Sequence, residues 1–224
     1  MKINADFDKR AAVHAADTPW APSPMAGVER RMLDRIGDEV ARATTIVRFA
    51  PGSAFSPHVH TGGEEFIVLD GVFQDEHGDF PAGSYIRNPP QSSHTPATAP
   101  GCTIFVKLWQ FDLDDRTHVR IDTDKARYLP TADGVETLSL FHDVHEDVVM
   151  ETWAPGATVD LSAKAGMEVL VLGGGFEEGG ETFAPQSWLR LPKGVSSSAT
   201  VGQDGAKVWI KRDHLKTTPQ APVI

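Results

Sequence analysis

A chain of 224 residues and 24.3 kDa holds one large β domain or two small ones, and 40% hydrophobic with 23% charged residues exclude a disordered chain. The charge sum, 21 basic against 31 acidic residues for a net −10, leaves no concentrated basic stripe to displace counterions from a nucleic-acid backbone. A lone cysteine, Cys102, excludes an intrachain disulfide and a multi-cysteine zinc site and points to a reducing, cytoplasmic setting.

Residues 1–19 read as an N-terminal extension. Asp6, Asp8, Lys9 and Arg10 interrupt it, so it lacks the apolar segment of a secretory leader. His14 stands in it without cysteine neighbours and is expected to be exposed. The segment 28–43, VERRMLDRIGDEVARA, has helix-like charge spacing, but Gly37 breaks it and it is read as strand and loop. Short β-branched and aromatic runs follow (TTIVRF, EFIVL, SYIR, TIFVKLW), punctuated by Gly and Pro, which is the pattern of an all-β fold of small antiparallel barrels. Aliphatic runs such as Phe66–Leu69 and Val169–Leu172 are far below the roughly 18 residues that span a bilayer. Cys102 lies in one of the apolar strands as a small core residue. The Asp-rich stretch ending near 127 reads as a solvated linker, residues 113–127. Further on, His142 and His145 flank acidic residues, yet three-residue spacing in a strand sends them to opposite faces, which disfavours a metal site. Gly173, Gly174 and Gly175 introduce no Lys-Ser/Thr, so a hairpin is expected there rather than a phosphate loop.

The chain repeats itself. EEFIVLDGVF (64–73) matches MEVLVLGGGF (167–176) at a spacing of 103 residues, and at the same spacing FPAGSYIRNPPQSS lies over FAPQSWLRLPKGVS. With one more residue in a loop, FAPG (49–52) faces WAPG (153–156), and GCTIFVK (101–107) faces GAKVWIK (205–211). The sequence thus divides into a first domain, 1–112, a linker, 113–127, and a second domain, 128–224.

The histidines separate the two copies. His58 and His60, at i and i+2 of an extended segment, project from one face. The Thr61-Gly62-Gly63 turn brings Glu64 back toward them, and His94 follows after the next strand and turn. Three imidazoles and a carboxylate form a mixed N/O donor set that suits zinc, iron, manganese, nickel or copper. At the repeat spacing these four residues become Leu161, Ala163, Met167 and Ser197. Ligands lost as a set are what the disappearance of an ion leaves behind, so one divalent metal ion per chain is expected, in the first copy. Phe55, Phe66 and Tyr85 are candidate pocket-lining residues. Glu65, adjacent to Glu64 in a strand, is expected to face outward.

These residues resemble those of the cupins. Gly52 to Gly71 fits the first cupin motif, with His58, His60 and Glu64 in its ligand positions, and GDFPAGSYIRNPPQSSH fits a loose form of the second, with His94 as the fourth ligand. The doubled glutamate and the RNPP turn are most similar to the cupin domain of ChrR anti-sigma factors. The resemblance implies a bicupin: two tandem jelly-roll barrels, the first metallated and the second a degenerate copy. The regulatory ChrR proteins also carry an N-terminal zinc domain with a His-x3-Cys-x2-Cys pattern, which is missing from this sequence, so tight sigma-factor binding is not expected.

Three functional expectations follow: a metal-dependent sensor or binding protein for a small molecule or oxidant; an Fe(II) cupin dioxygenase that cleaves a diketone or hydroxy-ketone; or a structural zinc bicupin, such as a homodimer. Zinc or iron leads among the metals, with manganese and nickel as alternatives. The expected partner is a small molecule, with neither nucleic acid nor membrane.

Overall fold

The computed structural model describes residues 1–38, 40–162 and 164–222. Almost all regular structure is antiparallel strand; the only helical element among the described residues is a 3₁₀ turn, Ala15–Asp17. The chain forms two compact units.

In the first unit the main sheet runs in the order Lys2–Ile3, Val28–Gly37, Ala41–Phe49, Cys102–Leu108, Glu64–Asp75, Ser84–Asn88 and Val119–Asp122. Its inner face carries Val28, Val47, Phe66, Val68, Ile86, Ile104 and Val106, which form one core cluster with Phe73 and Cys102. Alternation sets this face: Val47 pairs with Ile104, and Ile104 with Val68. The charged segment from Val28 to Gly37 is a strand because Val28, Arg30 and Met32 alternate against Phe49, Val47 and Thr45. Pairing with a β-branched neighbour overrides its helix-like charge spacing.

In the second unit the order is Leu129–Ala132, Val135–His142, Asp147–Trp153, Ser198–Arg212, Met167–Glu178, Ser187–Leu191 and Ala11–His14. The second to sixth strands repeat the order of the first sheet. The core contains Val149, Leu161, Met167, Val169, Phe176, Leu189, Val208 and Ile210. Gly71 and Gly174 mark the repeat in the backbone. Both have positive φ, and a Cβ on either would lie 2.0 Å from a carbonyl oxygen, that of Gly101 or of Gly205. The same tight crossing of two strands is therefore built twice, and only glycine fits it.

Several expectations are corrected. Residues 113–127 are not merely a linker, because Val119–Asp122 pairs with Ser84–Arg87 as a strand of the first sheet. The N-terminal extension is not outside the fold either: Ala11–His14 pairs with Ser187–Arg190 and closes the edge of the second sheet. In each sheet the strand that carries the YIR or WLR run needs an edge partner, and a short segment from outside the repeat serves in both places. His14 is half-buried on that strand, its ring nitrogens against Ser187 Oγ and Glu181, each at 3.0 Å. Gly173 to Gly175 form no hairpin; they lie inside the Met167–Glu178 strand, where two register shifts bulge the ladder. His142 and His145 do not share a strand, since the chain turns after His142 and the His145 N–H donates to the Asp143 carboxylate. Glu65 points away from the barrel interior, yet it is 1% exposed and accepts a hydrogen bond from the Tyr85 hydroxyl.

Candidate metal centre

The His58–His60 strand pairs antiparallel with Ser92–His94, which sets His94 directly opposite His58 and Ser92 opposite His60. Alternation then turns the three imidazoles to one side. Their ring centroids lie 4.9, 5.0 and 4.6 Å apart, and one donor nitrogen from each falls within 4.8 Å of the others. Among the described residues this is the one group of three or more histidine, cysteine or carboxylate donors gathered so closely. Glu64 Oε2 lies 3.5 Å from His60 Nε2 and 3.6 Å from His94 Nε2. The turn that returns Glu64 is held by rings: a Cβ at Gly62 would come within 2.0 Å of the Trp109 indole, and one at Gly63 within 2.5 Å of the Phe111 ring.

The outer nitrogens are anchored. His94 Nδ1 lies 3.2 Å from Asp75 Oδ2, and His58 Nδ1 lies 3.2 Å from the Ser56 carbonyl oxygen. Either contact holds the proton on Nδ1 and leaves Nε2 as a lone pair. Asn88 donates to Glu64 Oε2 at 3.4 Å. Phe73, 5.7 Å from His94 between centroids, backs the ring on the core side. Burial pushes the His94 imidazolium toward its neutral form, but the bond to Asp75 and the nearby Glu64 carboxylate outweigh burial and raise its pKa. His60 is lowered, because burial dominates the attraction of Glu64 and the other two imidazoles add to the lowering.

The fit to a divalent ion rests on unpaired atoms. His60 Nε2 and His94 Nε2 are buried without a hydrogen-bond partner, which is costly unless something accepts their lone pairs. A cation in contact with both, with Glu64 beside them, removes that cost. His58 is exposed while His60 and His94 are buried, so the cluster opens to solvent on one side.

The suggested pocket residues fare differently. Phe66 is part of the hydrophobic core and packs against Phe73 at 4.7 Å. Phe55 is half-buried and leans on Phe49 at 5.3 Å. Tyr85 does not line the metal side: it pairs with Ile67, whereas its neighbours Ile86 and Asn88 pair with Phe66 and Glu64 on the inner face. Asp75, Asn88 and Phe73 were not among the sequence candidates. Asp75 was findable, because Glu178 lies 103 residues later and keeps the acid in both copies.

In the second unit Leu161 and Met167 are buried in the core. The backbone N–H of Leu161 donates to the Ser197 carbonyl oxygen at 2.9 Å, the pairing that joins His58 to His94 in the first copy. Ser197 donates its hydroxyl to Glu178, and Arg10 donates to Glu178 Oε2 at 2.8 and 3.0 Å. The acid that steadies a histidine in one copy thus takes a serine and an arginine in the other. Ala163 lies outside the described residues.

Residues 8–112 match the family model of the ChrR Cupin-like domain. No curated protein sequence matched the chain. Among solved structures, a provisional dioxygenase from Nostoc punctiforme superposes with a TM-score of 0.72 at 14% identity, over 100% of this chain and 86% of that one. The Escherichia coli protein YlbA gives 0.70 at 13%, over 98% and 95%. Oxalate decarboxylase of Bacillus subtilis, described with Mn(II) centres, gives 0.62 at 10%, over 91% and 77%. At such identities these likenesses concern the fold. The family match and a His-x-His strand facing a third histidine identify residues 8–112 as a ChrR-like cupin domain, and two jelly-roll sheets of matching order give the whole chain the fold of a bicupin.

Proposed function

We propose that His58, His60, His94 and Glu64 hold one divalent ion that faces solvent and takes a small oxygen-donor ligand or oxidant, so that the protein acts as a metal-dependent small-molecule sensor or binding protein. The observation that carries this reading is the pair of buried Nε2 atoms of His60 and His94 that make no hydrogen bond, converging with an exposed His58. A closed structural zinc site buries all its ligands and keeps no position open, and the exposure of His58 weighs against it. The bound ion supplies Lewis acidity, redox chemistry where it is iron or manganese, and coordination positions beyond the protein's four donors. The chain holds His94 through Asp75, His58 through the Ser56 carbonyl and Glu64 through Asn88, and Phe73 excludes water from the inner side of His94. Zinc or iron suits the donors best, with manganese or nickel next.

Partners follow the same chemistry. A net charge of −10 favours a small ligand over nucleic acid, and no helix of the described residues is long and apolar enough to cross a membrane.

A second reading, an Fe(II) dioxygenase acting on a β-diketone or hydroxy-ketone, draws on the open side of the site and on the fold neighbour described as a provisional dioxygenase. One experiment treats both. The protein is loaded anaerobically with Fe(II), exposed to nitric oxide and read by electron paramagnetic resonance, then assayed in an oxygen electrode with β-diketones and hydroxyacetophenones. A half-integer-spin nitrosyl signal is expected, and its absence in iron-loaded protein overturns the open site. Oxygen uptake lost in His94→Ala makes the protein an enzyme, whereas a nitrosyl signal without uptake leaves it a binding protein.

A further inference from the structure

The turn that joins His60 to Glu64 is built differently from its counterpart in the second unit. It is closed by the Gly63 N–H, which donates to the His60 carbonyl oxygen at 3.4 Å, and the Trp109 N–H donates to the Gly63 carbonyl oxygen at 3.2 Å. Trp109 directly follows Leu108, the residue that pairs with Glu64. The duplication puts Asp213 at the place of Trp109, Ala165 at that of Gly62 and Gly166 at that of Gly63. There the Asp213 N–H donates to the Gly166 carbonyl oxygen at 2.9 Å, in the same way.

Backbone conformation explains the aspartate and not the tryptophan. Both residues have positive φ, 58° at Trp109 and 63° at Asp213. Aspartate enters that region far more readily than a bulky side chain does. Asp213 also caps the turn, its carboxylate accepting from the Ala165 N–H at 3.2 Å, whereas an indole offers no acceptor. A strained residue of this kind persists where its surroundings fix it. Trp109 is half-buried, and its indole fills the space that a side chain at position 62 would take, 2.0 Å from an ideal Cβ on Gly62. The second unit has a methyl group at that position, on Ala165. Phe111 over Gly63 has a counterpart in Leu215 over Gly166, so that contact belongs to the common fold. The indole on Gly62 belongs to the unit with the ligands alone. Two adjacent glycines between His60 and Glu64 leave their turn free to move unless something outside it holds it.

We propose that Trp109 is a positioning residue of the metal centre: its indole, lying over Gly62, fixes the turn that sets Glu64 against His60. The proposal rests on the metal reading above and adds to it a residue that is not itself a ligand.

The test is the paired substitution Gly62→Ala with Trp109→Asp, which gives the first unit the combination found in the second, alongside Trp109→Phe, which keeps a ring. Co(II) is the probe. Competition with a chromophoric chelator reads affinity, the visible absorption of bound Co(II) reads ligand geometry, and thermal melts of chelator-treated protein read the fold apart from the ion. The paired variant is expected to fold, to bind Co(II) about 10- to 100-fold more weakly than wild type and to show altered absorption bands, with a smaller loss in Trp109→Phe. If the paired variant does not fold, Trp109→Phe carries the test, with a severalfold loss and altered bands expected. Wild-type affinity in the folded variant, or weaker binding with an unaltered spectrum, overturns the proposal. Wild-type protein that takes up no Co(II) refutes the metal reading itself and the role of Trp109 with it, whereas Co(II) held equally by wild type and the folded variant refutes the role of Trp109 alone.

Discussion

His94 answers to two neighbours: its Nδ1 faces Asp75, and its Nε2 makes no hydrogen bond but lies 3.6 Å from Glu64 Oε2. Removing Asp75 keeps the ligand but frees its ring and tautomer. Asp75→Asn is expected to weaken metal affinity about 10- to 100-fold with the fold intact, whereas His94→Ala should abolish tight binding. Competition with a chromophoric chelator measures both. Asp115 makes a residue-scale prediction about pH. Burial alone would raise its carboxyl, but the Thr117 N–H and the Arg87 guanidinium outweigh burial and hold it below the usual carboxylate range. A depressed folded-state pKa gives stability that is complete above the unfolded value near ~4 and is lost as pH falls through the folded one. Asp115→Asn should therefore cost about 1–3 kcal/mol at neutral pH, and the difference from wild type should shrink toward pH ~3. Urea titrations at the two pH values check it; a penalty equally large in acid would contradict the ion pair with Arg87.

At the scale of elements, legibility depended on whether a signal was local. The His-x-His strand, the Gly-Gly turn and Glu64 lie within a few residues of each other, and alternation alone puts the imidazoles on one face. Register was less visible. Gly173 to Gly175 look like a turn because glycines usually mark turns, but here Gly174 lets a long strand bulge against the carbonyl of Gly205, a contact made with a residue far along the chain. Tyr85 misled for a related reason: an aromatic in a strand near the ligands says nothing about which face it takes until the pairing with Ile67 is known. The tight crossing at Gly71 carries its own test. An alanine there must adopt positive φ and crowd the Gly101 carbonyl, which is expected to cost about 2–5 kcal/mol. A urea midpoint for Gly71→Ala within error of wild type would mean that the two strands do not cross so closely.

For the whole molecule, the duplication was readable because it is written at a fixed spacing, and so was the difference between a copy with ligands and a copy with Leu161 and Met167 in their place. The edge strands were not readable. Val119–Asp122 and Ala11–His14 are short and have no repeat partner at the common spacing, so they resemble linker and extension; only their hydrogen bonds to Ser84–Arg87 and Ser187–Arg190 give them a role. A cut after residue 112 therefore severs the first sheet from its own edge strand. A fragment of residues 1–112 is expected to aggregate or to lose amide protection along Ser84–Asn88, and one that runs to 127 to recover that protection, as read by hydrogen exchange. Equal protection in the two fragments would return 113–127 to the status of a linker.

The central claim, one divalent ion in the first unit on His58, His60, His94 and Glu64, is tested most directly by elemental analysis of protein purified without chelator and reconstituted with Fe(II) or Zn(II), alongside His60→Ala and His94→Ala. The account predicts one ion per chain in the wild type and none held through gel filtration by either variant. Two ions per chain, none after reconstitution, or an undiminished ion in the variants would contradict it.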